Sequence, residues 1–359
     1  MQWLYQIVLR ALYWINSEPL YKLVRRCSAP RLKKLLIHIT DQCNYDCVYC
    51  YVDKKNGTLS FPEWTAILEQ AKTLGVTKVS ILGGEPLCAP YLPELLRKIT
   101  QLRMKPYLYT NGALLDESWM NRLLPFKPVL IFKYDSDNAT YQRYTRQQAV
   151  RLADIEQTIQ RCRRAGFTVM TFTALTRDNA DHVEAIFSRS VQLGALPAFE
   201  RYLPVRDAQT NEQLELSDAA YRDAMKKVAR KLKHLIPLWK AAIRIAGRSC
   251  GCYSDILSVA PSGNVLPCPY LPESAALGNV RQQPLADIYR VLQKKQAGEY
   301  QPPERCGRCN YRHECGGGCF TYSYLKNSVF SSHCNGETEI GFCSYLLVDL
   351  YSDISATRL

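Results

Sequence analysis

Three cysteines near the start of the chain have a spacing that could hold a metal cluster. Cys43, Cys47 and Cys50 form a C-x3-C-x2-C pattern in the segment CNYDCVYC. Three thiolates on one short loop can bind three irons of a cubane iron–sulfur cluster, which leaves the fourth iron open to a small molecule. A structural zinc site would need a fourth ligand nearby. His38 is close in sequence, but it lies in an apolar stretch, so we interpret it as a core or pocket residue.

A larger group of cysteines lies in the last third of the chain. Nine of the fifteen cysteines fall between Cys250 and Cys343. Clustered thiols in a chain without a signal-peptide pattern indicate metal ligands rather than disulfides. The zinc-ribbon alternative uses two C-x2-C pairs, and this region has only Cys306 and Cys309 in that spacing.

Composition and charge narrow the class of protein. Hydrophobic residues make up 47% and charged residues 22%, which argues against wholesale disorder. Forty-six Lys and Arg against 33 Asp and Glu give a net charge of +13, which favours acidic partners such as membrane lipid, acidic peptide or nucleic acid. No basic-aromatic recognition module stands out, so nucleic acid is an unfavoured partner. No apolar run reaches the ~20 residues of a membrane span, and we expect a cytoplasmic protein.

Alternating strands and helices must position these cysteines. Strands are predicted at residues 35–39, 78–82, 106–110, 129–133, 167–172 and 196–202. Helices are predicted near residues 62–74, 91–103, 152–165, 179–193 and 217–233. Six such units predict an α/β fold with a parallel sheet, in the form of a partial (β/α)6 TIM-type barrel. Chemistry is then expected at the carboxyl ends of the strands.

The flanking segments divide the chain into three predicted parts. Residues 1–34 begin with an apolar helical stripe and continue with a Lys/Arg cluster. This segment either docks on the main domain or makes a peripheral contact with an anionic membrane. Residues 35–236 form the predicted barrel. Beyond Pro237 the composition shifts to Gly, Pro and Cys, so residues 237–359 are predicted to form a second domain.

The first cysteine group resembles that of the radical SAM family. The loop directly follows the first strand, and Tyr49 supplies the aromatic residue before the last cysteine. The resemblance implies that S-adenosylmethionine chelates the open iron of a [4Fe–4S] cluster. One electron, from a flavodoxin- or ferredoxin-like donor, would then reduce the cluster and lead to cleavage of S-adenosylmethionine. The product is a 5′-deoxyadenosyl radical that abstracts hydrogen from a substrate.

The same resemblance assigns residues to the cofactor at the next strand ends. It places Gly83, Gly84, Glu85 and Pro86 at the methionine amino group of SAM, and glycine allows close approach of the backbone to a ligand. A Gly84→Val change is therefore expected to weaken SAM binding and leave the cluster content nearly intact.

Strands three and four carry further matches to the family. Asn111 ends strand three in the manner of the family. Asp135 matches a family position at the end of strand four, whereas Lys133 replaces the usual Ser and could meet the SAM carboxylate or reach substrate. Arg143 or Arg146 stands where relatives often bind that carboxylate; the alternative is a solvated basic helix face.

The second cysteine group resembles the SPASM extension of radical SAM enzymes, which binds two auxiliary [4Fe–4S] clusters. The matching positions are Cys252, Gly263, Cys268, Cys306, Cys309, Cys315, Cys319 and Cys343. The resemblance implies that Cys319 joins Cys252 and Cys268 on the first cluster. Cys306, Cys309 and Cys315 share the second cluster with Cys343, or alternatively with Cys334. Cys250 is a candidate fourth ligand of the first cluster.

The resemblance implies an enzyme that matures a ribosomally made peptide by a cross-link, an epimerisation or a thioether. Sulfatase-maturing relatives carry a base Asp directly after the equivalent of Cys268, whereas Pro269 follows here, so that activity is not expected. Only 34 residues precede the first predicted strand, which suggests a separate peptide-recognition protein. The alternatives are an enzyme acting on a sugar, tetrapyrrole or lipid-linked compound, and a non-enzymatic iron–sulfur electron carrier. No catalytic acid or base is assigned.

Overall fold

The computed structural model describes the barrel region and the first part of the C-terminal region. The described residues are 32–52, 57, 59–138, 141, 151–205, 212–235, 252, 254–298, 319, 321 and 325. In this part of the chain, no helix has both the length and the apolar character needed to cross a membrane.

The described elements alternate along most of the chain. The strands are β1 (Lys34–His38), β2 (Lys78–Leu82), β3 (Lys105–Thr110), β4 (Val129–Lys133), β5 (Val169–Leu175), β6 (Leu196–Arg201), β7 (Ile256–Val259), β8 (Asn264–Leu266) and β9 (Gly278–Asn279). The α-helices are α1 (Phe61–Thr73), α2 (Leu92–Gln101), α3 (Glu117–Leu123), α4 (Leu152–Arg164), α5 (Val183–Gln192), α6 (Asp218–Leu235) and α7 (Leu285–Gly298).

These strands form one mixed sheet in the order β6-β5-β4-β3-β2-β1-β7-β8-β9. Strands β1 to β6 pair in parallel with their sequence neighbours, as expected for βαβ units. All six predicted strands are present at bounds close to those predicted. The partial barrel is therefore confirmed, and the carboxyl ends of its strands share one edge.

The local sequence explains how the helices pack on this sheet. Helix α1 starts at a capping box, in which Ser60 and Glu63 satisfy each other's backbone N–H groups. Its buried residues follow the helical repeat expected of a face packed on a sheet. They are Trp64, Ile67, Leu68 and Ala71. The cap at Ser60 sets where the chain turns back after the cysteine loop.

The sheet extends beyond the predicted barrel. Strand β7 pairs in parallel with β1, with Leu36 opposite Ser258, and β8 and β9 continue the sheet in antiparallel fashion. The C-terminal region thus shares a sheet with the barrel, which the shift in composition did not predict. Helix α3 was also not predicted. The predicted boundary near residue 237 and the segment 1–31 lie outside the described residues and stay predictions.

Candidate active site

A cleft opens at the carboxyl ends of the parallel strands, where the fold predicts the chemistry. It encloses about 1010 Å³, a volume that includes space open to solvent. Its wall contains seven of the predicted site residues: Cys43, Cys47, Cys50, Gly83, Gly84, Asn111 and Lys133. The fold thus brings together residues that are spread over about 90 positions of sequence.

The turn after β2 is fastened to the cysteine loop. The Gly84 N–H donates to the Thr40 carbonyl at 2.7 Å, and the Glu85 N–H donates to the Gln42 carbonyl at 2.8 Å. A Cβ on Gly83 would lie 2.5 Å from the Thr40 oxygen, and one on Gly84 would lie 2.2 Å from the Gln42 oxygen. Both glycines are required because the cysteine loop itself approaches so closely. A Val side chain at Gly84 would therefore collide with the cysteine loop, which argues against the expectation that this change leaves the cluster content nearly intact.

The buried side chain of Glu85 stabilises the turn after β2. Its fully buried carboxylate accepts hydrogen bonds from the Thr110 hydroxyl at 2.8 Å, the Asn111 N–H at 2.7 Å and the Leu87 N–H at 3.2 Å. Three donors satisfy a buried carboxylate and fasten the end of β2 to the end of β3. Pro86 begins a buried 3-10 turn. Neither side chain is part of the cleft wall, so their contact with SAM stays a prediction.

Asn111 supports the cysteine loop from the end of β3. Its side-chain amide donates to Asn44 Oδ1 at 2.7 Å and lies 3.9 Å from the Cys43 sulfur. Its own Oδ1 accepts from the Ala113 N–H at 2.9 Å. The side chain therefore positions Cys43, while one face of the residue lines the cleft.

Lys133 and Asp135 form a charged pair beside Tyr49. The Lys133 ammonium lies 3.2 Å from Asp135 Oδ1 and stands over the rings of Tyr49 and Phe172, at 4.9 and 4.7 Å from their centroids. Asp135 is fully buried and also accepts hydrogen bonds from the Tyr49 hydroxyl and the Ala174 N–H. Its carboxylate positions Tyr49 and Lys133, and Lys133 is the member of the pair that lines the cleft.

Two aromatic side chains near the cysteine loop have shifted pKa values, the buried His38 and the partly buried Tyr51. Burial lowers the pKa of His38 to about 4, so this imidazole is neutral at physiological pH. Burial also raises the pKa of Tyr51 well above its usual value, with further contributions from the charges of Cys50, Glu200 and Cys268. The Tyr51 hydroxyl therefore lies within electrostatic reach of cysteines from both predicted cluster groups.

Comparisons with known proteins agree with this site. The family model of the radical SAM superfamily matches residues 37–189, and that of an iron–sulfur cluster-binding domain, SPASM, matches residues 250–310. PqqA peptide cyclases of Gluconobacter oxydans and Streptomyces rochei are 28% and 30% identical, each over 79% of this chain and over 84% and 83% of their own. The chain belongs to the radical SAM superfamily, in its SPASM-containing branch.

Two further comparisons describe the breadth of this radical SAM family. The AdoMet-dependent heme synthase of Methanosarcina barkeri is 24% identical over 86% of this chain and 96% of its own. The crystal structure of Streptococcus suis SuiB bound to its precursor peptide SuiA superposes with a TM-score of 0.70, at 17% identity, and covers 88% of this chain and 78% of that one. The second comparison establishes the fold.

The residues of this radical SAM enzyme fit its [4Fe–4S] cluster and SAM. The three loop thiols are partly exposed, and all of them line the same cleft. Among the described residues, no three His, Cys, Asp or Glu side chains are close enough to ligate a single metal ion. A cubane cluster, by contrast, spreads three thiolates over three irons. Cys43, Cys47 and Cys50 would hold the cluster, and the strand ends around the cleft would hold SAM.

The SPASM domain binds the auxiliary clusters, and the structure describes part of its cysteine set. Cys252 and Cys268 are each 5% exposed, whereas Cys319 is exposed. The other predicted ligands lie outside the described residues, as does the predicted SAM contact Arg143. These are Cys250, Cys306, Cys309, Cys315 and Cys343, together with the alternative ligand Cys334. Their assignments stay predictions.

Two further residues of the cleft wall were not singled out in the sequence. Glu200 lies at the end of β6, and Tyr270 follows Cys268 by two positions. The rule that places chemistry at the carboxyl ends of strands could have found Glu200, because it is a carboxylate near the end of the last predicted strand. No pattern predicts that Tyr270 reaches the same cleft from the C-terminal region.

Proposed function

We propose that this enzyme modifies a ribosomally made peptide and forms a cross-link, an epimer or a thioether. The similarity to PqqA peptide cyclases along 79% of the chain supports this proposal most strongly. When bound, SAM and its cluster supply hydrogen-atom abstraction. The protein's own contribution is to hold the substrate at the cleft and to exclude water.

The cleft suits this task chemically. Its wall carries several aromatic rings, among them Tyr49, Tyr109, Phe172 and Tyr202, which provide apolar surface and limit access of water. Lys133 contributes a positive charge that Asp135 balances. A peptide side chain can enter between these rings while its backbone stays at the open side of the cleft.

Partners of the reaction are part of the same proposal. The net charge of +13 favours an acidic peptide or an acidic electron donor of the flavodoxin or ferredoxin class. A separate peptide-recognition protein would supply binding energy remote from the cleft. Contact of residues 1–34 with an anionic membrane is a further proposal, which rests on their apolar stripe and basic cluster alone.

A small-molecule substrate is the second candidate. The observation that favours it is the similarity to the AdoMet-dependent heme synthase, which extends over 96% of that protein. A tetrapyrrole would place its apolar ring against the same aromatic wall and its carboxylates near Lys133. The third candidate, an electron carrier, is not supported, because the chain belongs to an enzyme family.

The decisive experiment offers both substrate classes to the reconstituted enzyme under anaerobic conditions with SAM and a reductant. Short peptides encoded beside the gene and carboxylated tetrapyrroles are the probes. We expect 5′-deoxyadenosine together with a modified peptide. A cross-link or thioether removes two hydrogens, and an epimer gains deuterium from D₂O, so mass spectrometry detects each product. Modification of a tetrapyrrole but of none of the peptides would contradict the proposal in favour of the second candidate.

A further inference from the structure

The partial barrel is open on one side. Strand β6 forms one edge of the sheet, and on the far side of β1 the sheet continues with β7. Among the described strands, β6 pairs with neither β1 nor β7, and no strand fills the space between them. In a closed eight-stranded barrel, further strands would occupy this position. Some other contact must therefore set the width of the gap at the mouth of the cleft.

Four side chains bridge this gap, and we name them the aromatic clasp: His38, Tyr51, Tyr270 and Glu200. The His38 and Tyr51 rings meet edge to face at a centroid distance of 5.6 Å. The Tyr51 and Tyr270 rings meet at 4.6 Å. The Tyr270 hydroxyl then donates a hydrogen bond to Glu200 Oε1 at 2.6 Å. The contacts run without interruption from β1 to the end of β6.

The clasp also joins the two cysteine groups. Tyr51 directly follows Cys50, and Tyr270 lies two residues after Cys268. The Leu271 N–H donates to the Cys268 carbonyl at 3.2 Å, which makes this segment a tight turn. Movement of Tyr270 would therefore move Cys268 relative to the cysteine loop.

Burial of Glu200 makes its hydrogen bond with Tyr270 costly to lose. Glu200 is only 8% exposed, and a buried carboxylate requires donors. A short hydrogen bond from a hydroxyl to a carboxylate is stronger than one between neutral groups. Pro269 fixes its own φ and so restricts the backbone between Cys268 and Tyr270.

We propose that Tyr270 and Glu200 are positioning residues that fix the Cys268 segment against the radical SAM site. Their hydrogen bond sets the separation between the SAM cluster and the nearest auxiliary cluster, and with it the width of the space left for substrate. The proposal rests on the family and on the fold, and it holds for a peptide or a small-molecule substrate alike.

The test uses reconstituted holoenzyme without substrate, so its result is independent of the proposed function. The variants are Tyr270→Phe, which removes only the hydroxyl, Glu200→Leu, which removes the acceptor, and Glu200→Gln, whose amide oxygen can still accept. Tyr289→Phe is the matched control, because its hydroxyl donates to the Ser254 carbonyl at 3.3 Å outside the cleft. The readouts are iron content, hydrogen exchange at the Leu271 amide, and magnetic coupling between the reduced clusters.

We expect full iron content in all four variants. Tyr270→Phe and Glu200→Leu should speed exchange at Leu271 about tenfold or more and weaken the magnetic coupling, because the local segment opens more often. Glu200→Gln should retain most of the native behaviour, and combining Tyr270→Phe with Glu200→Leu should add little. Unchanged coupling in Tyr270→Phe, or an equal change in Tyr289→Phe, would overturn the proposal.

Discussion

The two cysteine groups differ in how the fold presents them. Cys43, Cys47 and Cys50 are partly exposed on a loop that lines an open cleft. Cys252 and Cys268 are each 5% exposed and pack within the hydrophobic core. An open site can admit a small molecule to a cluster, whereas an enclosed site surrounds its cluster with protein and so tunes its potential. Cys252 and Cys268 thus differ from the three loop thiols in their surroundings and not in ligand type, whereas Cys319, their predicted partner, is exposed.

The supports of the two groups differ as well. The cysteine loop is held by backbone hydrogen bonds to the glycine turn and by Asn111. Cys268 follows β8, which antiparallel pairing attaches to β7. A loop that depends on a few close contacts should be sensitive to single substitutions at those contacts.

The largest effect should follow removal of the open site. Changing Cys43, Cys47 and Cys50 together to Ala should remove about one third of roughly twelve irons and abolish SAM cleavage, because the three thiolates hold one of three clusters. Iron analysis and 5′-deoxyadenosine assays measure both outcomes. The control is Cys162→Ala, which removes a buried thiol of α4 outside both motifs and should keep its iron and its activity. Residual SAM cleavage in the triple variant would show that the SAM cluster is held elsewhere.

A second substitution tests the support of the open site. Gly84→Val should lower both the content of the SAM cluster and SAM cleavage at least about tenfold, because its side chain would collide with the backbone carbonyls of Asp41 and Gln42. The auxiliary clusters should persist, which leaves about two thirds of the iron. Gly166→Ala is the control: its positive φ of 86° strains an Ala, but apart from its chain neighbours no atom stands within 4 Å of the added Cβ, so the cluster content should stay unchanged. Full cluster content with weakened SAM binding would favour a ligand contact instead.

The smallest effect concerns a surface contact between the two regions. Arg281, which follows β9, donates to Glu63 of α1 at 2.6 Å. The hydrogen bond from Arg281, followed by those at Ser60, lowers the pKa of Glu63 to about 2. A lowered pKa in the folded state stabilises the protein above the unfolded pKa of about 4.3, and this gain is lost as pH falls towards about 2.

Because the pair is exposed, Arg281→Ala should cost less than about 1 kcal/mol at pH 7, and less again at pH 4. Urea unfolding at the two pH values measures the difference. Lys98→Ala, which removes another surface ion pair with Glu69, should cost a similar amount at pH 7. A loss of several kcal/mol would contradict this prediction, because an exposed ion pair contributes little to the free energy of unfolding.

The barrel was readily predicted from sequence because its signals are local. Each of the six strands is a short apolar run, and a helical repeat follows all of them except β3, so hydrophobic periodicity detects most of the elements. The bounds of β2 and β4 agree with the prediction residue for residue. Strand β7 was missed because it is four residues long and lies among Gly, Pro and Cys residues, and its partner β1 is more than 200 positions away in sequence.

The cleft was predicted in part. The spacing of Cys43, Cys47 and Cys50 and the glycine turn identified its reactive side. The contact of these glycines with SAM stays a prediction, whereas their close approach to the cysteine loop was not predicted, because a sequence does not show which backbone lies nearby. Glu85 stabilises the turn through three buried hydrogen bonds, a role that depends on where Thr110 and Asn111 stand.

The amino-acid sequence alone determined the family, the cluster chemistry and the parallel architecture, because ligand spacing and hydrophobic period are properties of neighbouring residues. Only the tertiary structure decided that Tyr270 meets Glu200 and that the Tyr51 ring packs against the Tyr270 ring. These contacts join residues 70 or more positions apart, where the chain folds back across the open side of the barrel. Such contacts depend on the path of the whole backbone, which no local sequence pattern predicts.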